Sequence, residues 1–278
     1  MLTCTAPVHQ PRSLDEAIAC RAIHPFATVL AGGTDIMVYL EAGSLKPSSL
    51  LDLWKVDALR GITVQADGVR IGALTTWTDI AREARMPAAL RDCARTVGAL
   101  QIQNRGTVGG NIVNASPAGD SLPMWLVLDA VFEVRSWHGT RRIPAAEFWR
   151  GYKRMDLAAD ELLVGVHVPA VSGDVRYRKV GTRLAQAISK VVLGLRVATV
   201  DGLVTEARVA FGSVGPTPAR ATAVEHALVG RALSPETVDN AVAALQIAPL
   251  DDIRSTADYR NDVARRILRA ELLALARG

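Results

Sequence analysis

The chain has little of what metal and disulfide sites are made from. Among its 278 residues are three cysteines, Cys4, Cys20 and Cys93. They are odd in number and widely spaced, so neither a disulfide framework nor a four-cysteine cluster can be assembled from them. The five histidines, His9, His24, His138, His167 and His226, show no HxxxH or HExxH spacing, so the sequence predicts no metal ligands in this chain. Lysine is scarce as well. Only five occur, and the net charge of +4 is carried by arginines scattered among acids, which leaves no nucleic-acid footprint. The longest apolar runs, 124–134 and 191–200, fall short of a membrane span and are interrupted by charge or glycine. The N-terminal stretch shows no basic region followed by an apolar segment and a cleavage site, and the expectation is a soluble cytoplasmic protein. Neither GxGxxG nor GxxxxGK[ST] is present, which excludes the standard dinucleotide and P-loop fingerprints.

What the sequence does have is a hydrophobic content of 49%, enough for a full core and two domains, and two dense glycine clusters. The first is Ala31-Gly32-Gly33-Thr34-Asp35. The second is Arg105-Gly106-Thr107-Val108-Gly109-Gly110-Asn111, which continues into Asn114-Ala115-Ser116-Pro117-Ala118-Gly119-Asp120. Paired glycines let a backbone approach a ligand without an intervening Cβ, and successive N–H groups form anion-binding concavities. Either pair alone would be an ordinary tight turn. Each, however, carries a hydroxyl residue and lies between an apolar run and a helix-like run, and together they predict a split phosphate site.

The elements around the clusters follow from local signals. Ser13 and Glu16 form a capping-box pattern that opens a helix to about residue 22. A buried strand over 28–31 leads into the first glycine turn, and Asp35 then caps a short helix that Gly43 ends. This puts a helix N-terminus at the turn, as an anion site requires. A strand at 49–53 is followed by a hairpin, 61–65 with 69–74, joined through Asp67-Gly68. Helices are expected from Thr78-Asp79, from Pro87 to about 97, and from Ser121 to about 128. Strands at 131–136 and 162–168 flank a helical turn at 145–149. Past residue 173 the pattern becomes three strands, 175–180, 191–200 and 203–212, and then helices near 221–229, 235–245 and 258–276. The last helix carries Val263, Ile267, Leu268 and Leu272 on one face, a stripe expected to pack on the preceding sheet.

In order and spacing, Ala-Gly-Gly-Thr-Asp, Asn-Arg-Gly-Thr-Val-Gly-Gly-Asn and Ser-Pro-Ala-Gly-Asp resemble the FAD-binding (medium) subunit of the molybdenum hydroxylases, the xanthine dehydrogenase and carbon monoxide dehydrogenase family. The resemblance covers essentially the whole chain. It implies an α+β fold: a two-subdomain FAD-binding domain of the vanillyl-alcohol-oxidase (PCMH) type over 1–173, with subdomains of about 1–54 and 55–173. A C-terminal domain of a three-stranded antiparallel sheet and three helices follows over 174–278. It also implies that Val29, Leu30, Ala31, Gly32, Gly33, Thr34, Asp35 and Ile36, with Thr107, Val108, Gly109, Gly110 and Asn111, hold the FAD pyrophosphate through backbone N–H groups and the Thr34 and Thr107 hydroxyls. Asn114, Ser116 and Asp120 match positions near the ribityl and adenosine portions. Leu163 and Lys179 match an apolar contact and a cation beside the flavin.

The implied role is an oxidoreductase subunit with no catalytic residue of its own. It would take electrons from two-iron (2Fe-2S) clusters of a small partner subunit, fed by a large subunit with the molybdenum cofactor, and pass them to an external acceptor. The assembly implied is a dimer of heterotrimers. Where animal relatives resemble one another in an acidic cluster beside the flavin, this chain has Gly181-Thr182-Arg183-Leu184-Ala185-Gln186-Ala187, which argues against NAD as acceptor. The competing reading of the glycine loops is an FAD- or nucleotide-binding assembly protein without redox turnover.

Overall fold

A computed structural model describes residues 5–277; Cys4 lies outside them. The chain begins with β1 (Val8–His9), α1 (Leu14–Ile23), β2 (Thr28–Leu30), α2 (Ile36–Glu41) and β3 (Leu50–Asp52). The central strand β3 pairs in parallel with both neighbours, Val8 and Thr28 each lying opposite Leu50. Ser13 caps α1, its Oγ accepting from the Glu16 N–H at 3.1 Å, but the Glu16 carboxylate turns to the N–H of Arg12, so the expected capping box is half made. Ala17 and Ile18 bury the inner face of α1 against Leu51, Leu53, Val56 and Leu59.

The second unit runs through β4 (Ile62–Gln65), β5 (Gly68–Gly72), α3 (Trp77–Arg82), α4 (Ala88–Thr96), α5 (Leu100–Gln103), α6 (Val108–Asn114) and α7 (Leu122–Val127). It continues as β6 (Val131–Ser136), β7 (Gly139–Pro144), α8 (Ala145–Phe148), β8 (Trp149–Gly151), β9 (Arg154–Met155) and β10 (Leu162–Pro169). Five of its strands form an antiparallel sheet in the order β4-β5-β10-β6-β7. Its core is built on buried Trp77, Trp125, Phe132 and Phe148.

Two expectations shift here for physical reasons. Gln65 pairs with Gly68, so the hairpin loop is Ala66-Asp67, one residue earlier than expected. Gly68 is needed for close packing instead, since a Cβ there would lie 2.2 Å from the Val168 carbonyl oxygen of β10. Helix α3 starts at Trp77, because Thr76 is the cap and Asp79 its third-position partner in a closed capping box.

The third unit is a sheet ordered β11 (Asp174–Val180), β12 (Val191–Val200), β13 (Leu203–Gly212) and β14 (Ala219–Arg220), with α9 (Thr222–Leu228), α10 (Pro235–Ala243) and α11 (Ala257–Leu275) on one face. The three expected strands are thus joined by a fourth of two residues, formed where the chain returns past Gly215-Pro216 to the edge of β13. Leu268 and Leu272 of α11 are buried in this unit's own core, with Val263 and Ile267 partly buried beside them, as the apolar stripe predicts.

Helix α7 packs against β12 and β13 at two glycines. A Cβ at Gly194 would lie 3.1 Å from the Pro123 carbonyl oxygen, and one at Gly212 would lie 2.9 Å from the Pro123 ring. Just past α7, Asp129 pairs with Arg196 of β12, with Arg208 of β13 at 3.1 Å and with Arg220 of β14 at 3.7 Å. This ion cluster pins the second unit to the third.

Candidate functional site

The two glycine clusters, sixty residues and more apart in sequence, meet at Gly32. A Cβ there would sit 1.8 Å from the carbonyl oxygen of Arg105, so only glycine allows the loops to touch. Trp54 fastens the same contact, its ring lying between the guanidinium groups of Arg60 at 4.2 Å and Arg105 at 3.6 Å, each a cation–π contact. Beside this junction opens a cavity of about 1340 Å³, above the roughly 300–1,000 Å³ of ordinary small-molecule sites. It is large enough for an extended dinucleotide.

The clusters contribute in different ways. In the first, Gly33 holds φ +78°, the left-handed conformation that glycine adopts without steric cost. Among the described residues, no acceptor takes the N–H of Gly32, Gly33, Thr34, Asp35 or Ile36, and the Thr34 hydroxyl makes no hydrogen bond. Five neighbouring backbone donors at a helix start, on the wall of a cavity, form an anion concavity.

In the second cluster the N–H groups of Val108 to Asn111 already have acceptors. Val108 and Gly109 donate to the carbonyls of Thr75 and Ala73 at 2.9 and 2.8 Å, and Asn111 donates to the Thr107 carbonyl at 3.1 Å. Gly110 donates to Thr107 Oγ1 at 3.1 Å, which makes Thr107 the N-cap of α6. The stretch opens a helix in which Val108 to Asn111 have acceptors, whereas among the described residues the Thr107 N–H has none and the Thr107 hydroxyl, though it accepts from Gly110, keeps its hydrogen to donate to an anion.

Fifteen of the expected site residues line the cavity: Val29, Ala31, Gly32, Gly33, Thr34, Asp35, Ile36, Thr107, Gly109, Gly110, Asn111, Asn114, Ser116, Asp120 and Leu163. Leu30, Val108 and Lys179 do not. Asp35 does not cap α2 with its side chain; its carboxylate accepts from Asn114 Nδ2 at 3.2 Å, and burial raises its pKa against the opposing pull of Lys153. Asn111 Oδ1 accepts from Ser121 Oγ at 2.7 Å, and Ser116 Oγ accepts from the Ala118 N–H at 3.3 Å.

Lys179 is set behind the wall. Its ammonium donates to Asp120 Oδ2 at 2.6 Å and to the Thr96 carbonyl at 2.9 Å. The other carboxylate oxygen, Oδ1, is buried with no hydrogen-bond partner among the described residues. Burial raises the Asp120 pKa while Lys179 lowers it. The Lys179 cation is therefore paired with Asp120 behind the cavity wall.

The structure adds residues that the glycine pattern does not reach. Tyr39, Tyr152, Lys153, Glu161, the 186–189 segment and, from the third unit, Leu250, Asp251, Asp252 and Arg260 complete the wall. Tyr39 was findable, because it lies four residues beyond Asp35 and so on the same helix face; its hydroxyl donates to Asn114 Oδ1 at 3.4 Å. No spacing rule links Lys153 or Arg260 to the clusters. Arg260 is held by the carbonyls of Ser213 and Lys190 at 2.5 and 3.0 Å and by Asp252 at 2.7 Å.

A family model described as the FAD binding domain in molybdopterin dehydrogenase matches residues 3–171, and one for the CO dehydrogenase flavoprotein C-terminal domain matches residues 176–275. The chain belongs to this family of molybdenum-hydroxylase FAD-binding subunits. It is 32% identical over 265 residues to the putative xanthine dehydrogenase FAD-binding subunit of Escherichia coli K12, covering 92% of this chain and 90% of that one. To the carbon monoxide dehydrogenase medium chain of Hydrogenophaga pseudoflava it is 31% identical over 279 residues, covering 96% and 95%. The solved structure of carbon monoxide dehydrogenase from that organism superimposes with a TM-score of 0.92 at 29% identity, covering 99% of this chain and 98% of that one.

Proposed function

We infer that this chain is the FAD-carrying electron-transfer subunit of a molybdenum-containing hydroxylase or dehydrogenase. The observation that carries this is the run of acceptor-free N–H groups from Gly32 to Ile36, opening into a dinucleotide-sized cavity in a member of this family. FAD, when bound, supplies the uptake of an electron pair and its release to an acceptor, chemistry that belongs to the cofactor.

The chain's own residues bind and orient. The Gly32–Ile36 donors and the Thr34 hydroxyl suit the doubly charged pyrophosphate. Gly110 leaves exposed backbone beside it, while Gly109 lets the helix pack against Ala73. Asn114 and Ser116 offer polar contacts further along, and Leu163 an apolar one. Lys179 is a positioning residue, fixing the Asp120 carboxylate so that the pair brings no net charge to the wall.

The partners we propose are a large subunit with the molybdenum cofactor and a small 2Fe-2S subunit, in a cytoplasmic dimer of heterotrimers. The medium-chain names of the relatives support the first part. Among the described residues no helix is long and apolar enough to cross a membrane. The 181–187 loop carries no carboxylate and borders the cavity at Gln186 and Ala187, which favours a quinone, cytochrome or dye acceptor over NAD. The test is to follow flavin absorbance while hydroxylatable substrate is added. Bleaching in the assembled complex but not in the isolated chain is expected; bleaching of the isolated chain, or none in the complex, contradicts the assignment.

A further inference from the structure

The histidines and cysteine that sequence spacing sets apart come together on the first unit. His9, on the edge strand β1, and Cys20 and His24, at the C-terminal end of α1, place their ligand atoms within 4.8 Å of one another. The two imidazoles stack with centroids 4.0 Å apart and planes 18° from parallel, so one ring must turn out of the stack to bring both in-plane lone pairs to one ion. Cys20 and His24 are four residues apart and so share a helix face. His24 is the C-cap, its N–H donating to the Cys20 carbonyl at 2.8 Å, which brings the partial negative charge of the helix end beside the cluster. None of the three lines the large cavity.

We propose that His9, Cys20 and His24 bind one zinc-class divalent ion, with a fourth coordination position left to solvent. Two imidazoles and a thiol with no carboxylate are the donor set of zinc, not of magnesium or calcium. All three side chains are half-buried, which keeps them reachable yet partly desolvated. Pattern reading missed this site because its ligands come from two elements, fifteen chain positions apart at the extremes.

The test uses the metal-stripped, FAD-loaded full chain in a Cys4→Ser background, which leaves the fully buried Cys93 as the one thiol outside the cluster. Titration with Co²⁺ should produce sulfur-to-cobalt charge-transfer absorption, read as a difference spectrum against the flavin, that saturates at one ion per chain and is abolished by Zn²⁺. Cys20→Ser should lose the sulfur band. His9→Gln and His24→Gln should each weaken Co²⁺ binding by about tenfold or more, with far-UV circular dichroism and flavin content unchanged. Absence of a sulfur band in the parent chain, a band that survives Cys20→Ser, or affinity unchanged in both histidine variants would overturn the proposal.

Discussion

Among single residues, Gly33 and Thr34 shape the anion-binding turn. A Cβ at Gly33 would meet only Met37 and Leu30 side chains, at 3.5 and 3.6 Å, so the cost of a side chain there is conformational. At φ +78° an L-residue loses roughly 1–2 kcal/mol, and the chain can escape only by turning the free N–H groups away. Gly33→Val should therefore be folded yet purify with little flavin, read by absorbance per chain. Thr34→Ala keeps the backbone and removes one hydroxyl, and should raise the FAD dissociation constant by about tenfold, the worth of one hydrogen bond to a charged group. The pH dependence has its own residue. Arg141 grips Glu161 at 2.6 and 2.8 Å, and the Ala158 N–H donates to it at 2.7 Å. These contacts hold the carboxyl below its ordinary value of 4.5. A depressed acid stabilises the fold above its unfolded-state pKa and loses that contribution as pH falls through the folded value. Denaturant unfolding across this acid range should show a shallower decline in Glu161→Gln than in the parent. Gly32 and Gly33 stand out in sequence because paired glycine is rare and informative. Glu161 and Lys153 do not, because their partners lie on strands and turns that only the fold brings near.

At the scale of elements, strands and helices with strong local signals could be read from sequence, and the exceptions share a cause. The start of α3 is legible as the local Thr76–Asp79 capping box, but the hairpin turn and the helix inside the second glycine cluster depend on partners across space: the Val168 carbonyl, and the Ala73 and Thr75 carbonyls. Local spacing cannot see such partners. The same holds for the bridge between units. Arg196 is 3% exposed, and among the described residues its guanidinium meets only Asp129 and Glu206; removing one partner leaves a buried charge half-compensated. Asp129→Ala should lower the unfolding free energy by about 1–3 kcal/mol, because Asp129 is itself partly exposed. Flavin content should fall in step if the third unit's wall depends on this joint. Unchanged stability would show that the two glycine contacts with α7 hold the units without the ion cluster.

At the scale of the molecule, the cavity belongs to all three units. The first gives the acceptor-free turn, the second the glycine helix and the 114–120 segment, and the third closes one side through Ser189, Ser213 and Arg260. That segment is held between units, with Ser213 donating its N–H to the Pro117 carbonyl at 2.9 Å and Ser189 Oγ donating to the Ala118 carbonyl at 3.2 Å. A nucleotide laid along this wall would touch residues more than two hundred positions apart in the chain, so its binding should stabilise the whole fold and not one unit of it. The most direct measurement is calorimetric titration of the flavin-free full chain with FAD, paired with the same titration of Gly33→Val. The expected result is binding of one FAD per chain, reversible and therefore noncovalent, with a rise in the unfolding temperature of every unit, and loss of that binding in the variant. Failure of the parent chain to bind FAD, or equal binding by Gly33→Val, would contradict it.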